Sequence, residues 1–223
     1  MTAIVRLTRA ELRKLATTRT ALITLAIAIA LSVISVVATA VNAGKHGTPA
    51  LGTDAGTYAM LKVGVVSCLA MIVLGVIAAG GEYRHRTIIP AMLTTPSRGA
   101  LVAAKTIAIA IAGVVLAGLT FGVSLATELF GLIGVALGYI TRSTIAAVVG
   151  AVGWLLIAEM AILGTAAPQL GKWLIYGTAR VLTNPPGANY GLLAPGTAAA
   201  VLAGYTVALL ATAAWLVRRR DAA

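Results

Sequence analysis

Charged residues are scarce in this chain, and their scarcity excludes an ordinary soluble domain. Only 10% of the 223 residues are Asp, Glu, Lys or Arg, whereas 60% are hydrophobic. Soluble domains carry about 25% charged residues. Apolar runs of about 20 residues, by contrast, are typical of transmembrane helices. The composition therefore predicts an all-α, polytopic membrane protein that forms a single domain over residues 1–223.

Residues that build catalytic and metal sites are also few. The chain has one cysteine, Cys68, and two histidines, His46 and His85, and it has no Gly-x-x-x-x-Gly-Lys-Ser/Thr loop for nucleotide phosphates. The predicted topology puts the two histidines on opposite sides of the membrane, so we expect no metal site. We also expect no catalytic site and no cofactor bound by this chain itself.

Acidic residues are fewer than basic ones, which leaves a net charge of +11. In a soluble protein this excess would suggest nucleic acid, but cytoplasmic loops of membrane proteins collect Lys and Arg. With six crossings and both termini in the cytoplasm, most of the 17 basic residues lie inside. We therefore predict a multi-pass protein of the cytoplasmic membrane with no nucleic-acid partner.

Five apolar runs predict full spans, at residues 20–41, 58–80, 101–126, 144–163 and 196–217. The fourth crossing is a problem, because residues 129–140 would rise only about 18 Å of the roughly 30 Å core. That stretch is either a short re-entrant piece or a helix from which residues are missing around Thr127–Gly131. We favour missing residues, since almost no turn-forming residues separate the two apolar runs.

The longest charged segment between two apolar runs covers residues 81–105. It contains an apolar patch at helical spacing, made by Ile88, Ile89, Met92 and Leu93. An ordinary positively charged loop would explain the cations of this segment but not its apolar patch. We therefore predict that it docks on a partner protein.

Residues 2–19 are predicted to form an amphipathic helix in the membrane interface. Ile4, Val5, Leu12, Leu15 and Ala16 would share one side of this helix, with Arg6, Arg9 and Arg13 on the neighbouring face toward lipid phosphates. The alternative is a solvated basic flank without a defined role.

Two further features fall within or between the spans. Glu159 is a carboxylate deep in a span, which is costly, so it either lies on a translocation path or makes a structural hydrogen bond to a neighbouring helix. Many of the 24 glycines lie in spans, where small residues allow close helix packing. We predict packing or interface roles for Gly118, Gly122, Gly134, Gly138 and Gly150.

Three stretches resemble the membrane subunits of type 2 ATP-binding-cassette exporters. They are AELRKLATTRTALITL (residues 10–25), GEYRHRTIIPAMLTTPSRGALVAAK (81–105) and GYITRSTIAAVVG (138–150), the last followed later by PQLGKWL. The resemblance covers most of the chain, and its second stretch is the most specific. One departure is Arg86, where the family usually has glycine, so we expect a looser turn there.

The resemblance implies a permease half that binds an ATPase subunit, which would hold ATP and Mg, and that pairs with a second copy or a sister permease. It implies an extracellular re-entrant hairpin at 165–195, an interface helix that includes Arg6, Arg9, Leu12 and Arg13, and a coupling segment within 81–100. The residues expected to couple to the ATPase are Glu82, Tyr83, Arg84, His85, Arg86, Thr87, Ile89, Met92, Leu93, Pro96 and Arg98.

The function predicted from these features is ATP-driven export of an amphiphile, such as a drug, an antibiotic or a lipid. Few charges occur in the spans, which fits an apolar cargo. The alternative is a membrane protein that transports nothing, such as an immunity protein or a scaffold.

Overall fold

A computed structural model describes residues 3–45, 48–50, 52–53, 56, 64–93, 95, 97–119, 125–159, 161–162, 168–183 and 193–220. The regular elements within these ranges are all helical. They are α1 (Ala3–Thr17), α2 (Arg19–Asn42), α3 (Gly64–Arg84), α4 (Ile88–Leu93), α5 (Arg98–Leu119), α6 (Leu125–Thr141), α7 (Thr144–Gly153), a π-helical turn (Trp154–Glu159), α8 (Pro168–Gly171), α9 (Ile175–Thr183) and α10 (Pro195–Arg220).

Helix α6 is the centre of the bundle. It packs along α3 and also contacts α5, α7 and α10. Its buried residues include Phe130, Ile133 and Tyr139, which meet buried α3 residues such as Met71 and Ile72. Apolar residues therefore surround α6 on most of its circumference, as expected for the central helix of a bundle.

Three described helices are long and apolar enough to cross a membrane: Arg19–Asn42, Arg98–Val115 and Pro195–Arg219. Within α2, only 17% of the apolar window is buried, and large aliphatic residues such as Ile23, Ile34 and Val41 are exposed. Such an outward apolar face suits contact with lipid rather than water. Leu125–Thr141 and Thr144–Glu159 are shorter apolar helices, so the prediction of six full spans remains a prediction.

The predicted boundary between the third and fourth spans is wrong. We placed Ala126 in the third span, but α5 ends at Leu119 and α6 begins at Leu125. Thr127–Gly131 is a continuous part of α6, in which Ala126, Thr127 and Phe130 are buried. Glu128 lies in the first turn of α6, where the helix dipole favours an acidic residue. Helix α6 rises about 25 Å over its 17 residues. The suggestion that residues are missing around Thr127–Gly131 stays a prediction.

Glycines allow α3 and α6 to cross at backbone contact. A Cβ added to Gly75 would lie 2.2 Å from the carbonyl oxygen of Gly131, and one added to Gly134 would lie 2.1 Å from that of Ile72. Packing roles for Gly134 and Gly138 are thus confirmed. Gly150 has no packing role within this chain, because a Cβ there would meet nothing within 4 Å, and its alternative role at an interface with another chain stays a prediction. The surroundings of Gly118 and Gly122 lie outside the described residues.

Two more predicted segments have partial counterparts. The start of the second predicted span, at 58–63, lies outside the described residues. The segment 165–195 contains the short helices α8 and α9, while residues 184–192 fall outside the description. The placement of this segment as an extracellular re-entrant hairpin stays a prediction.

Candidate functional site

Helix α3 ends in a tight turn within the segment that carries the family resemblance. The Thr87 amide donates to the Glu82 carbonyl at 2.9 Å, and the Arg86 amide donates to the Tyr83 carbonyl at 3.3 Å. This pair of bonds is the Schellman arrangement, which needs a left-handed residue at the Arg86 position. Arg86 has φ 56°, so the looser turn that we expected is wrong: arginine adopts the conformation that glycine adopts more readily.

The short helix α4 divides the predicted apolar patch into two halves. Ile88 and Met92, four positions apart, pack against the core of the bundle. Ile89 and Leu93, also four positions apart, are 64% and 81% exposed. Residues at this spacing share one side of a helix. Helix α4 is therefore held by one apolar pair and presents the other at the surface.

Four charged side chains meet beside α4, and we call Glu11, Lys14, Glu82 and Lys105 the charged junction. The Lys14 ammonium lies 2.5 Å from Glu11 Oε1 and 2.8 Å from Glu82 Oε1. The Lys105 ammonium donates to Glu11 Oε2 and lies 3.2 Å from Glu82 Oε1. Two glutamates and two lysines thus neutralise one another and join α1, α3 and α5.

Burial and charge act in opposite directions on this junction. Burial alone would raise the pKa of Glu11, but the charges and hydrogen bonds of Lys105 and Lys14 outweigh it and lower that pKa below its usual 4.5. Burial alone would lower the pKa of Lys14, but hydrogen bonds to Glu11 and Glu82 raise it above 10.5. Both groups are therefore charged at neutral pH.

The structure separates the predicted coupling residues into an internal and an external set. Glu82 is only 7% exposed and belongs to the charged junction, so its side chain faces the interior of this chain. The Tyr83 ring lies edge-on to Tyr139 and beneath the Arg142 guanidinium, which is 5.3 Å from the ring centroid. Exposed residues of the predicted set are Arg84, His85, Arg86, Thr87, Ile89 and Leu93.

The last two residues of that set lie just before α5. Pro96 falls outside the described residues. Arg98 begins α5 and donates to the carbonyl oxygens of Val217 at 3.4 Å and Arg218 at 3.3 Å. These are among the final carbonyls of α10, which have no partner inside their own helix. Arg98 therefore ties the coupling segment to the end of the last helix.

Helix α1 forms over nearly the predicted range, but its packing differs from the prediction. Arg6, Arg9 and Arg13 are exposed and Leu12 is half-buried. The side that is buried contains Thr8 and Glu11, and α1 packs chiefly on α5. Ile4 and Val5 are 41% and 42% exposed. Lys105 on α5 explains the difference, because it attracts the Glu11 side of α1.

A cavity of about 780 Å³ lies beside the charged junction. All four junction residues line it, as do Arg84, His85 and Thr87 after α3, and Pro90 and Ala91 of α4. Leu7, Leu15, Ile77 and Leu101 add apolar surface. The cavity thus lies between α1, the end of α3, α4 and the start of α5.

Glu159 is fully buried in the π-helical turn. Its Oε1 accepts a hydrogen bond from the Trp154 indole at 2.7 Å, and its Oε2 accepts one from the backbone amide of Tyr176. That amide belongs to the first turn of α9, where unpaired N–H groups and the helix dipole favour a carboxylate. Of the two interpretations left open by the sequence, the contacts favour the structural hydrogen bond.

The ion-pair partners of Glu82 were not predicted from the sequence. Lys14 lies 68 positions from Glu82 in the sequence, and Glu11 lies 94 positions from Lys105. One signal was available: Lys105 lies at the start of an apolar run, where a lysine without a partner is costly. That cost could have prompted a search for carboxylates, of which the chain has few.

Comparison with known proteins gives the family of the chain. The family model of the ABC-2 family transporter protein matches residues 7–174. The match includes most of α1, the charged junction, α4 and the α3–α6 crossing. No curated protein matches the chain. Since the family model covers most of the sequence, the chain belongs to the ABC-2 transporter family and is a membrane-embedded, multi-pass transport permease.

Proposed function

We propose that this permease is the membrane subunit of an ATP-driven exporter and that α4 docks on its ATPase subunit. In this proposal the ATPase binds ATP and Mg, and both termini of the permease lie in the cytoplasm. Two permease copies, or one copy and a sister chain, enclose the transport path between them. Family membership supports the permease role; the ATPase, the direction of transport and the pairing are our inferences.

The observation that carries the proposal is the exposed pair Ile89 and Leu93. Two large aliphatic side chains stand at the surface of a short helix, just after a cationic turn with Arg84, His85 and Arg86. Burying an aliphatic side chain of this size contributes about 1.5–3 kcal/mol. An apolar centre surrounded by charged residues is also the usual arrangement of a protein–protein interface.

Contacts around α4 supply a route from the docked ATPase to the membrane helices. The turn at Arg86 joins α4 to α3, the charged junction joins α3 to α1 and α5, and Arg98 bonds to the end of α10. A displacement of α4 therefore acts on four helices at once. We infer that ATP binding and hydrolysis shift these helices and open the path.

The cargo that we propose is an amphiphile such as a drug, an antibiotic or a lipid. The outward faces of α2 and α10 are apolar, with Ile34, Val37 and Val207 exposed. Glu159 has both oxygens bonded within the chain, so we assign it to the anchoring of α9 rather than to the path. An apolar path suits a cargo with few charges.

The test uses the permease co-expressed with a candidate ATP-binding-cassette subunit from the same organism. Ile89→Asp with Leu93→Asp should abolish co-purification and permease-dependent ATP hydrolysis, because two charges replace the apolar contact. Leu170→Asp is the matched control, since Leu170 is 67% exposed but lies outside the coupling segment. Monodisperse elution would verify the fold of each variant. If no ATPase co-purifies, or if the double variant behaves like Leu170→Asp, the docking proposal is wrong, and an immunity or scaffold role takes its place.

A further inference from the structure

The cavity beside the charged junction is large enough for a small molecule, and the proposed docking of α4 does not require such a cavity. Its volume of about 780 Å³ lies within the roughly 300–1,000 Å³ typical of small-molecule sites. Leu7, Leu15 and Ile77 supply apolar surface, while Lys14, Arg84 and Glu82 supply charge. A lining of this kind matches an occupant with one polar and one apolar end.

Glu82 contributes a buried acceptor that lacks a donor. The residue is 7% exposed, and its Oε1 accepts from both Lys14 and Lys105. Its Oε2 is buried and has no hydrogen-bond partner among the described residues, and the same holds for the hydroxyl of Thr144, which lines the same cavity. Buried polar atoms in native proteins nearly always have a partner. Each lysine donates to both glutamates, but neither ammonium is bonded to Glu82 Oε2. An N–H group of an occupant could supply that donor.

We propose that the cavity binds the ethanolamine phosphate head group of a membrane phospholipid. The primary ammonium donates to Glu82 Oε2, and the phosphate lies near Lys14 and Arg84. The acyl chains extend along Leu7, Leu15 and Ile77. A zwitterion suits this site because the cavity is lined by both a carboxylate, Glu82, and cations, Lys14 and Arg84.

The position of the cavity fits a lipid rather than a soluble ligand. Leu15, Thr18 and Ala21 line it where α1 passes into α2, and α2 is long and apolar enough to cross a membrane. A lipid in the adjoining leaflet can therefore reach the cavity from the side. This inference does not depend on the ATPase, because a lipid site would serve any membrane protein.

The first experiment counts N–H donors. The full-length protein, delipidated in detergent, is titrated with short-chain phosphatidylethanolamine and with its mono-, di- and trimethylated forms, and bound lipid is measured by native mass spectrometry. The ammonium group then offers three, two, one or no N–H donors. We expect binding to persist while one donor remains and to fall about tenfold for the trimethylated form, which is phosphatidylcholine. Equal binding of all four lipids would overturn the proposal.

A soluble head group tests whether the cavity binds a membrane lipid or a free phosphorylated amine. Phosphoethanolamine carries the same ammonium and phosphate without acyl chains. We expect it to bind much more weakly than the lipid, since it leaves the apolar lining uncovered. Binding as tight as that of the lipid would show that the site takes a soluble amine and that the lipid proposal is wrong.

The second experiment fills the cavity without touching the ion pairs. Ala10 lines the cavity from α1, so Ala10→Trp should lower phosphatidylethanolamine binding about tenfold. Ala16→Trp is the matched control, because Ala16 is exposed on the same helix but does not line the cavity. Circular dichroism would verify that both variants fold. If Ala10→Trp leaves lipid binding intact but prevents ATPase assembly, the cavity takes a side chain of the partner and not a lipid.

Discussion

Helix α3 is held in two different ways at two points along its length. At Gly75 its backbone contacts the backbone of α6 so closely that even a Cβ atom would not fit between them. At Glu82, about two turns further on, it is held through long charged side chains from α1 and α5. Close-packed backbones leave little freedom, whereas Lys and Glu side chains have several rotamers. We expect α3 and α6 to move as a unit and the charged junction to adjust when α4 is displaced.

Among these predictions, the replacement of buried Lys105 should have the largest effect on stability, because it breaks the charged junction. Lys105→Met keeps the length of the side chain but leaves Glu11 and Glu82 facing each other with only half-exposed Lys14. Loss of one partner from a buried ion pair costs about 3–5 kcal/mol. The free energy of unfolding in detergent, measured by chemical denaturation, should fall by this amount.

A surface lysine provides the control for that measurement. The Lys172 ammonium donates to the Gln169 side chain at 2.9 Å, and exposed contacts of this kind contribute little. Lys172→Met should change stability by less than about 0.5 kcal/mol. Equal losses for the two variants would show that the junction does not stabilise the fold.

The glycine crossing should break with the addition of one methyl group. A Cβ at position 134 would lie 2.1 Å from the Ile72 carbonyl oxygen, and a backbone atom in a packed helix cannot move aside. Overpacking of this kind typically costs 1–3 kcal/mol, so we expect Gly134→Ala to destabilise the protein by about 3 kcal/mol. The same unfolding assay measures the change.

Gly150→Ala adds the same methyl group at a position where we expect a gain in stability rather than a loss. Gly150 is also inside a helix, but nothing lies within 4 Å of an added Cβ. Alanine is favoured over glycine in a helix by about 0.5–1 kcal/mol, so this variant should be slightly more stable. If both alanine variants were stabilised, close packing of α3 on α6 would not be a requirement of the fold.

The two regions also differ in how far the sequence predicts them. The glycine stripe was recognisable, because Gly134 and Gly138 recur at helical spacing within an apolar run. Helices α1 and α2 were predicted within about two residues, since continuous patterns define them. The charged junction was not predicted, because its partners come from three helices far apart in the chain. The boundary after α5 was misplaced, because the apolar run 101–126 does not show where one helix ends and the next begins.

Acid should weaken the charged junction and leave the glycine crossing unchanged. The folded-state pKa of Glu11 is lowered, so its contribution is complete above its usual pKa of 4.5 and is lost as the pH falls through the lower folded value. The melting temperature of the wild type should therefore drop more between pH 6 and roughly pH 4 than that of Glu11→Gln. The difference between the two curves isolates Glu11 from the other carboxylates. Parallel curves would contradict the assigned ion pairs.

The turn that joins α3 to α4 offers a second small gain in stability. Arg86 has φ 56°, which costs a side chain about 1 kcal/mol relative to glycine, so Arg86→Gly should stabilise the protein by about that amount. Arg142 has nearly the same backbone, with φ 53°, but its guanidinium lies over the Tyr83 ring. Arg142→Gly should therefore gain less, because the cation–π contact is lost. If the Arg86→Gly variant is more stable but binds the ATPase less well, the Arg86 side chain contributes to docking. The strained backbone at this position is then retained because the side chain makes that contact.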